Sequence, residues 1–312
     1  GTINAIGGTD PWGRPHVIGG AGIGSGGSGG DATTVTITGG AVIEKATGGG
    51  GCAGIGGGYS SKSDVTISGN ATIETVTGSE QSAGIGGGGW GSTGTVTIKD
   101  NATIKNAQGG DGGAGIGGGA GGLGDVAIEG KVTIQNAQGG IGAAGIGGGA
   151  ESEPDDDGTG KKPENEISIQ STETGSPNIT AKGGKAGTVL NLNDEEEAIS
   201  GGAAIGSGSV ISGQEKAKAA ITIEGKVTIT ATAGGSVAKR DAIAIGDTPL
   251  KEQKFAGLLV GAVIKRWDSD GVDLTLEGDK PEPEKPTEPE QPSQPGQPSQ
   301  PGQPSNPDQP SN

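Results

Sequence analysis

Two aromatic side chains of this sequence have the chemistry best suited to contacting a ligand. Tyr59 and Trp90 follow Gly-rich phrases at nearly the same place in two neighbouring repeats, which predicts that they lie on adjacent loops. Aromatic rings on such loops can stack on the apolar face of a sugar while their polar edges form hydrogen bonds. The alternative is that both rings cover the end of the core. Trp12 and His16 lie on another loop and form a second candidate patch, although the single His cannot complete a metal site.

Two acidic clusters could hold a cation. They comprise Asp155, Asp156 and Asp157, and Asp194, Glu195 and Glu196. Several carboxylate oxygens close together are the ligands that Ca²⁺ prefers, so Ca²⁺ is the one cofactor that this sequence suggests. Neither cluster has the alternating ligand spacing of a calcium-binding loop, and a solvated run of charges is the competing interpretation.

Two surface patterns are further candidates. Thr36, Thr66 and Thr97 are predicted to stack on one outward face, and such a hydroxyl array could match an ice lattice, although Thr is also common on solvent-facing strands. Gly54 and Gly56 are predicted to point outward and to leave a strip of exposed backbone that a partner could approach closely. The alternative is that these glycines serve tight bends.

The elements that position these residues belong to a repeat of about thirty residues. Ile37 precedes Ile43 by six residues and Ile43 precedes Ile55 by twelve, and later repeats keep these spacings. Each apolar position alternates with a polar residue or Gly, which is the period of a half-buried strand, and helical periodicity is absent. The phrase Ala-Gly-Ile-Gly recurs at 21–24, 53–56, 83–86, 114–117 and 144–147.

Three short strands per repeat, joined by turns too tight for a crossover helix, predict an all-β fold. The expected architecture is a single-stranded parallel β-helix, a solenoid of about eight coils. Small aliphatic residues are expected to fill its narrow core, which agrees with an aromatic content of only 2%. Cys52 occupies a position for a small residue and is interpreted as packed. The inward columns are represented by Val35, Ile37, Ala41, Ile43, Ala53 and Ile55.

Composition sets the predicted domain organisation. The β-helix is expected over 1–270, with insertions near 9–16, 151–165 and 183–200. A transition over 271–280 leads to a spacer at 281–312, where Pro recurs at nearly every third residue, the period of polyproline II. A net charge of −16 argues against nucleic-acid binding, and no apolar run is long enough to span a bilayer. The first residues read as mid-repeat, so neighbouring domains are expected on both sides.

The repeat phrases resemble a known class of sequence. Gly-Ala-Gly-Ile-Gly-Gly-Gly at 113–119 and Val-Thr-Ile-Ser-Gly-Asn-Ala-Thr-Ile at 65–73 are similar to the glycine-rich β-strand repeat regions of large secreted or wall-attached proteins of Gram-positive, often gut-dwelling, bacteria. The resemblance covers 20–150 well and is degenerate over 166–264. It implies an extracellular, adhesin-like or carbohydrate-binding role with a polysaccharide or host glycan as ligand, and it supplies no catalytic residues.

The function expected from these features is a non-catalytic surface module, an adhesin-like stalk displayed by the Pro-rich linker. The second hypothesis is a polysaccharide-active β-helix enzyme, either a lyase or a hydrolase. Three features argue against an enzyme: aromatic residues are scarce, no acid, base and cation are clustered, and the sequence has only three arginines, Arg14, Arg240 and Arg266. The residues also leave open an ice-binding solenoid and a spacer without any ligand.

Overall fold

The fold is a stack of parallel strands. A computed structural model describes residues 1–8, 19–27, 32–90, 92–151, 164–190, 196–210, 218–235, 244–246 and 262–275. Within these residues the regular structure is entirely β, and three sheets of parallel strands pair each repeat with the next. The predicted parallel β-helix with three strands per coil is therefore confirmed. None of the described residues belongs to a helix that could cross a membrane.

The three sheets form three faces of the solenoid. The first face contains Thr33–Ile37, Ser63–Ile67, Gly94–Ile98, Gly124–Glu129, Asn165–Gln170 and Ala219–Glu224. The second face contains Thr2–Ile6, Val42–Thr47, Thr72–Thr77, Thr103–Gln108, Thr133–Gln138, Asn178–Lys182, Thr228–Thr232 and Val263–Trp267. The third face contains the two-residue strands Ile23–Gly24, Ile55–Gly56, Ile85–Gly86, Ile116–Gly117, Ile146–Gly147, Ile205–Gly206 and Ile245–Gly246.

Isoleucine columns form the core, as the sequence predicts. Ile73, Ile104 and Ile134 pair in register on the second face and are each almost completely buried. A column of small residues on that face, which the sequence did not reveal, is also buried in the core cluster. Ala53, predicted to point into the core, is buried but lies outside this main cluster. The column of small residues on the second face contains Ala46, Val76, Ala107, Ala137, Ala181 and Ala231.

Glycine builds a second layer beside the core. Between the second and third faces, and again between the third and first faces, the chain makes a short Gly-rich excursion that ends in a turn. Backbone hydrogen bonds join these excursions from coil to coil, for example from Gly110 N to Ser82 O (3.0 Å) and from Gly140 N to Gly113 O (2.9 Å). We call this part of the fold the glycine layer; in the two central repeats it comprises the described residues of 78–83, 87–92, 109–114 and 118–122.

The prediction that a strip of glycine backbone is exposed on the third face is wrong. Gly54 and Gly56 are buried, as are their equivalents in the next three coils. The next coil occupies the space where a side chain would stand, since a Cβ on Gly54 would lie 2.5 Å from Val76 Cγ2 and 2.8 Å from Thr77 O. These glycines therefore serve close packing between coils rather than contact with a partner.

The insertion predicted near 183–200 contains an element that the sequence did not reveal. Gly187–Leu190 pairs with Glu196–Ile199 as an antiparallel hairpin between the second and third faces. Ile199 packs with Ala143 and Ala150, and Ile141 joins the same small apolar cluster. The hairpin is therefore seated against the glycine layer. Residues 9–16, most of 151–165 and the spacer at 281–312 lie outside the described residues.

Candidate functional site

The two turns of each coil lie side by side and form a continuous surface. Across them, Gly89 N donates to Gly51 O (2.9 Å), Ala120 N to Gln81 O (2.7 Å) and Ala150 N to Gly112 O (2.8 Å). Backbone bonds thus fix the turns of one excursion to those of the other in successive coils. We call this surface the turn edge. It consists of residues 50–51, 80–81, 111–112 and 141–142 in one row and 59–60, 89–90, 120–121 and 150–151 in the other.

Tyr59 and Trp90 meet on the turn edge, as their sequence positions predict. Their ring centroids lie 6.3 Å apart with an interplanar angle of 47°. Tyr59 lies over Gly51, where a Cβ would come within 2.5 Å of Tyr59 Cδ2. Partial burial raises the pKa of the Tyr59 hydroxyl further above neutrality, so the hydroxyl remains a hydrogen-bond donor at neutral pH. The Trp90 side chain is 53% exposed, so its ring presents an apolar surface to solvent.

Trp90 is held in an unusual backbone conformation. Its φ is +59°, a region that bulky residues rarely occupy. The next coil has Gly121 at the equivalent position, with φ +74°. The equivalent residues Ser60 (φ +54°) and Glu151 (φ +58°) are left-handed as well, so the turn imposes this conformation and Trp90 adopts it at a cost that Gly would not bear.

A cleft opens farther along the turn edge. The slot that the Tyr59 ring fills in its own coil contains only the Ala120 methyl group two coils later, and in the next coil, where Ala150 is the equivalent residue, the hairpin residue Ile199 fills it. Gly112 lies against Ala120 as Gly51 lies against Tyr59, since a Cβ on Gly112 would lie 3.0 Å from Ala120 Cβ. The cleft has a volume of about 220 Å³. Its floor is formed by Gly112, Ala120 and Ala150, and its rim by Glu80, Gln81, Asp111, Glu151 and Thr188.

This cleft was not predicted from the sequence, although a signal was present. The change from Tyr to Ala at one repeat position predicts an empty slot only once the glycine layer is known. Thr188 comes from the hairpin, which bounds the cleft at one end.

A second concavity lies on the first face. It has a volume of about 290 Å³ and includes Thr97, Asp125, Ala127 and Glu166. Burial, and to a smaller extent the nearby Glu166 carboxylate, raises the pKa of Asp125, while the Glu166 backbone N–H donates weakly to Asp125 Oδ1 at 3.4 Å. Ala127 follows Thr97 in the outward column, so the trough interrupts the flat Thr array expected of an ice-binding face.

Asp125 gives a testable pH dependence. Because its pKa is raised in the folded protein, the folded state binds this proton more tightly than the unfolded chain, and stability falls as pH rises through the interval between the two pKa values. We expect Asp125→Asn to raise the melting temperature slightly at pH 7 and to lose that advantage below about pH 4, where the unfolded carboxyl also takes up its proton. Thermal melts of both proteins across a pH range of about 3–8 measure this.

Asp64→Asn is the matched control, because Asp64 is an exposed carboxylate on the same face. An equal gain from both substitutions, or a gain at Asp125 that does not change with pH, would contradict the assignment of the effect to burial of Asp125.

The remaining predicted site residues are mostly outside the described part of the chain. This applies to Trp12 and His16 and to the acidic residues at 155–157 and 194–195, while Glu196 begins a hairpin strand. Among the residues that are described, no group of three or more His, Cys, Asp or Glu is arranged to hold a metal ion. Cys52 is buried and its pKa is raised by desolvation, which fits a packed side chain.

Comparison with known proteins adds no further assignment, since no protein-family model, no curated protein and no solved structure matches the chain. We therefore infer a function from the geometry of the turn edge and from the sequence itself.

Proposed function

We propose that this chain is a non-catalytic extracellular module that binds a polysaccharide or host glycan through the Tyr59–Trp90 pair. In this proposal the β-helix is a rigid stalk on a secreted or wall-attached protein of a Gram-positive bacterium, and the segment 281–312 is the spacer that displays it. The observation that carries the proposal is the exposure of Trp90, paired with Tyr59 on a backbone conformation that disfavours Trp.

The physical reason is the match between these rings and a sugar. An exposed indole offers an apolar face for the C–H side of a pyranose ring, and the tilted Tyr59 ring extends that surface while its hydroxyl can donate to a sugar oxygen. Backbone hydrogen bonds between the turns fix the backbone that carries both rings before binding. Little backbone conformational entropy would then be lost when a ligand is bound.

A glycan array with the intact chain, followed by titration of the strongest binder, tests the proposal. We expect Trp90→Ala to weaken binding by about 30-fold or more, because loss of a central aromatic contact typically costs about 2 kcal/mol. Tyr59→Phe keeps the ring and should bind within a few-fold of the original protein. Repeating the array with and without Ca²⁺ examines whether the acidic clusters contribute.

Trp90→Gly separates binding from folding. Relief of the left-handed strain, worth about 1–2 kcal/mol, should offset the lost ring contact with Tyr59, so this variant should melt close to the original protein while binding no better than Trp90→Ala. Absence of glycan binding by the original protein, or binding that both Trp90 variants retain, would refute the proposal.

An enzyme is the second candidate, favoured by the raised pKa of Asp125 beside Glu166 in the first-face trough. Strand stacking alone places such side chains about 4.8 Å apart, so their proximity by itself is weak support. Release of oligosaccharides from the bound glycan, abolished by Asp125→Asn, would favour this candidate.

A further inference from the structure

We infer that the cleft beyond the Tyr59–Trp90 pair is a second sugar subsite, and that the ligand of the turn edge is an uncharged or amine-bearing glycan chain lying parallel to the solenoid axis. This inference rests on the proposed function and deepens it, because it adds the class of glycan and the direction in which it lies.

The slot between the two rows of turns has a shape that suits a ring. In one coil the Tyr59 ring fills it over Gly51. In the next, the Gln81 side chain lies beside Gly89, where a Cβ would be 3.2 Å from Gln81 Cβ and 3.5 Å from its Oε1. In the following coil Ala120 leaves it open. In the coil after that, the hairpin residue Ile199 lies over Gly142 beside Ala150 and closes it. The cleft is therefore an empty equivalent of the slot that the six-membered Tyr59 ring occupies over Gly51 on the same edge.

The volume of the cleft agrees with this shape. At about 220 Å³ the cleft is smaller than the roughly 300–1,000 Å³ of pockets that take drug-sized ligands. It therefore suits one sugar unit of a longer chain rather than a complete, enclosed small molecule.

The aromatic pair and the cleft lie on one line along the turn edge. The slot repeats once per coil, and coils are spaced by about 4.8 Å, so Ala120 lies roughly 10 Å along the axis from Tyr59. A linear oligosaccharide stacked on Trp90 and extended along that line reaches the cleft without leaving the surface. The hairpin residue Thr188 limits the far end.

The charge of the rim selects among glycans. Glu80 and Asp111 on the rim are exposed carboxylates, Glu151 lies on the same rim, and the described lining residues include neither Lys nor Arg. Carboxylates accept strong hydrogen bonds from sugar hydroxyls and from ammonium groups. They repel carboxylate or sulfate groups of an acidic polysaccharide, and the net charge of −16 adds to that repulsion.

Ala120→Tyr is the decisive variant. The new ring should fill the cleft over Gly112 as Tyr59 fills the slot over Gly51. The fold already accommodates a Tyr at this repeat position, so we expect the variant to fold. Ala127→Tyr is the matched control, because it makes the same change in the trough of the first face. Circular dichroism and melting curves verify that both variants fold.

The probes are neutral, glucosamine-containing and uronate-containing oligosaccharides of two and six units, first on an array and then by calorimetry. We expect the neutral or amine-bearing six-unit chains to bind at least about 10-fold more tightly than the two-unit ones. Ala120→Tyr should remove that advantage and leave binding of the two-unit chains unchanged, whereas Ala127→Tyr should change neither. The double variant Glu80→Gln/Asp111→Asn should increase binding of the uronate chains several-fold.

Three results would overturn the inference. One is tightest binding of an acidic chain by the original protein. Another is binding that depends on Trp90 but is unaffected by Ala120→Tyr, which would leave the proposed function intact. The last is failure of every probe to bind, in which case the proposed function fails as well.

Discussion

Replacing Gly119 with Ala is expected to destabilise the protein by about 2–4 kcal/mol. Gly119 lies in the glycine layer, where an added Cβ would overlap the carbonyl oxygen of Gly88 in the preceding coil. Its φ is not among the left-handed values, so the cost is steric rather than conformational. Overpacking of a tight interior typically costs about 1–3 kcal/mol, and the cost is higher here because the obstructing atoms are backbone and cannot rotate away.

Gly40→Ala provides the matched control. Gly40 lies in an exposed turn, has nothing within 4 Å of an added Cβ, and does not have a left-handed φ. Its replacement should be neutral or stabilise the fold by up to about 1 kcal/mol, because Ala reduces the freedom of the unfolded chain. Denaturant unfolding with both variants, together with hydrogen exchange at residues 87–122, measures the difference. Equal effects of the two substitutions would contradict the close packing assigned to the glycine layer.

The Ile spacing was sufficient to predict the solenoid. Ile37, Ile43 and Ile55 belong to three columns whose spacing within a repeat, six and then twelve residues, recurs in the next repeats, and parallel stacking places such residues in register. Apolar periodicity reports which side chains share a face, and on a solenoid that determines the coil. The eight strands of the second face pair around the Ile residues that the repeat had indicated, from Ile3 to Ile264.

The glycine layer could not be predicted in the same way. An alternating pattern assigns Gly54 and Gly56 to the outside of a strand, but Gly has no side chain to show whether that outside faces solvent or another part of the backbone. The layer is maintained by backbone hydrogen bonds between turns, which leave no periodic signature in residue type. The proximity of Tyr59 and Trp90 was predictable because the two residues occupy nearly the same position in neighbouring repeats. The open slot at Ala120 was not predictable because it depends on the packing of the glycine layer.

Asn165 is the other position at which a large effect is expected. It is fully buried at the start of a first-face strand, directly after the segment 152–163 interrupts the repeat. Its Oδ1 accepts from Gly124 N (2.9 Å), and its Nδ2 donates to Ser207 Oγ (3.0 Å) and to Lys218 O (3.1 Å). One amide side chain thus links coils on both sides of the interruption, a role that a single polar residue in the sequence does not reveal.

Asn165→Ala should therefore cost about 2–4 kcal/mol, because the Gly124 N–H would be left without this acceptor in a buried place, and each such group costs about 1–3 kcal/mol. Asn101→Ala is the control: Asn101 also bonds the neighbouring coil, from its Nδ2 to Asn70 Oδ1 (2.8 Å), but it is exposed and should cost no more than about 0.5 kcal/mol. Since solenoid coils are stabilised mainly by their neighbours, hydrogen exchange in Asn165→Ala should rise first around 164–170 and 218–224. Similar losses from both Asn substitutions would show instead that the link across the interruption depends on the apolar columns alone.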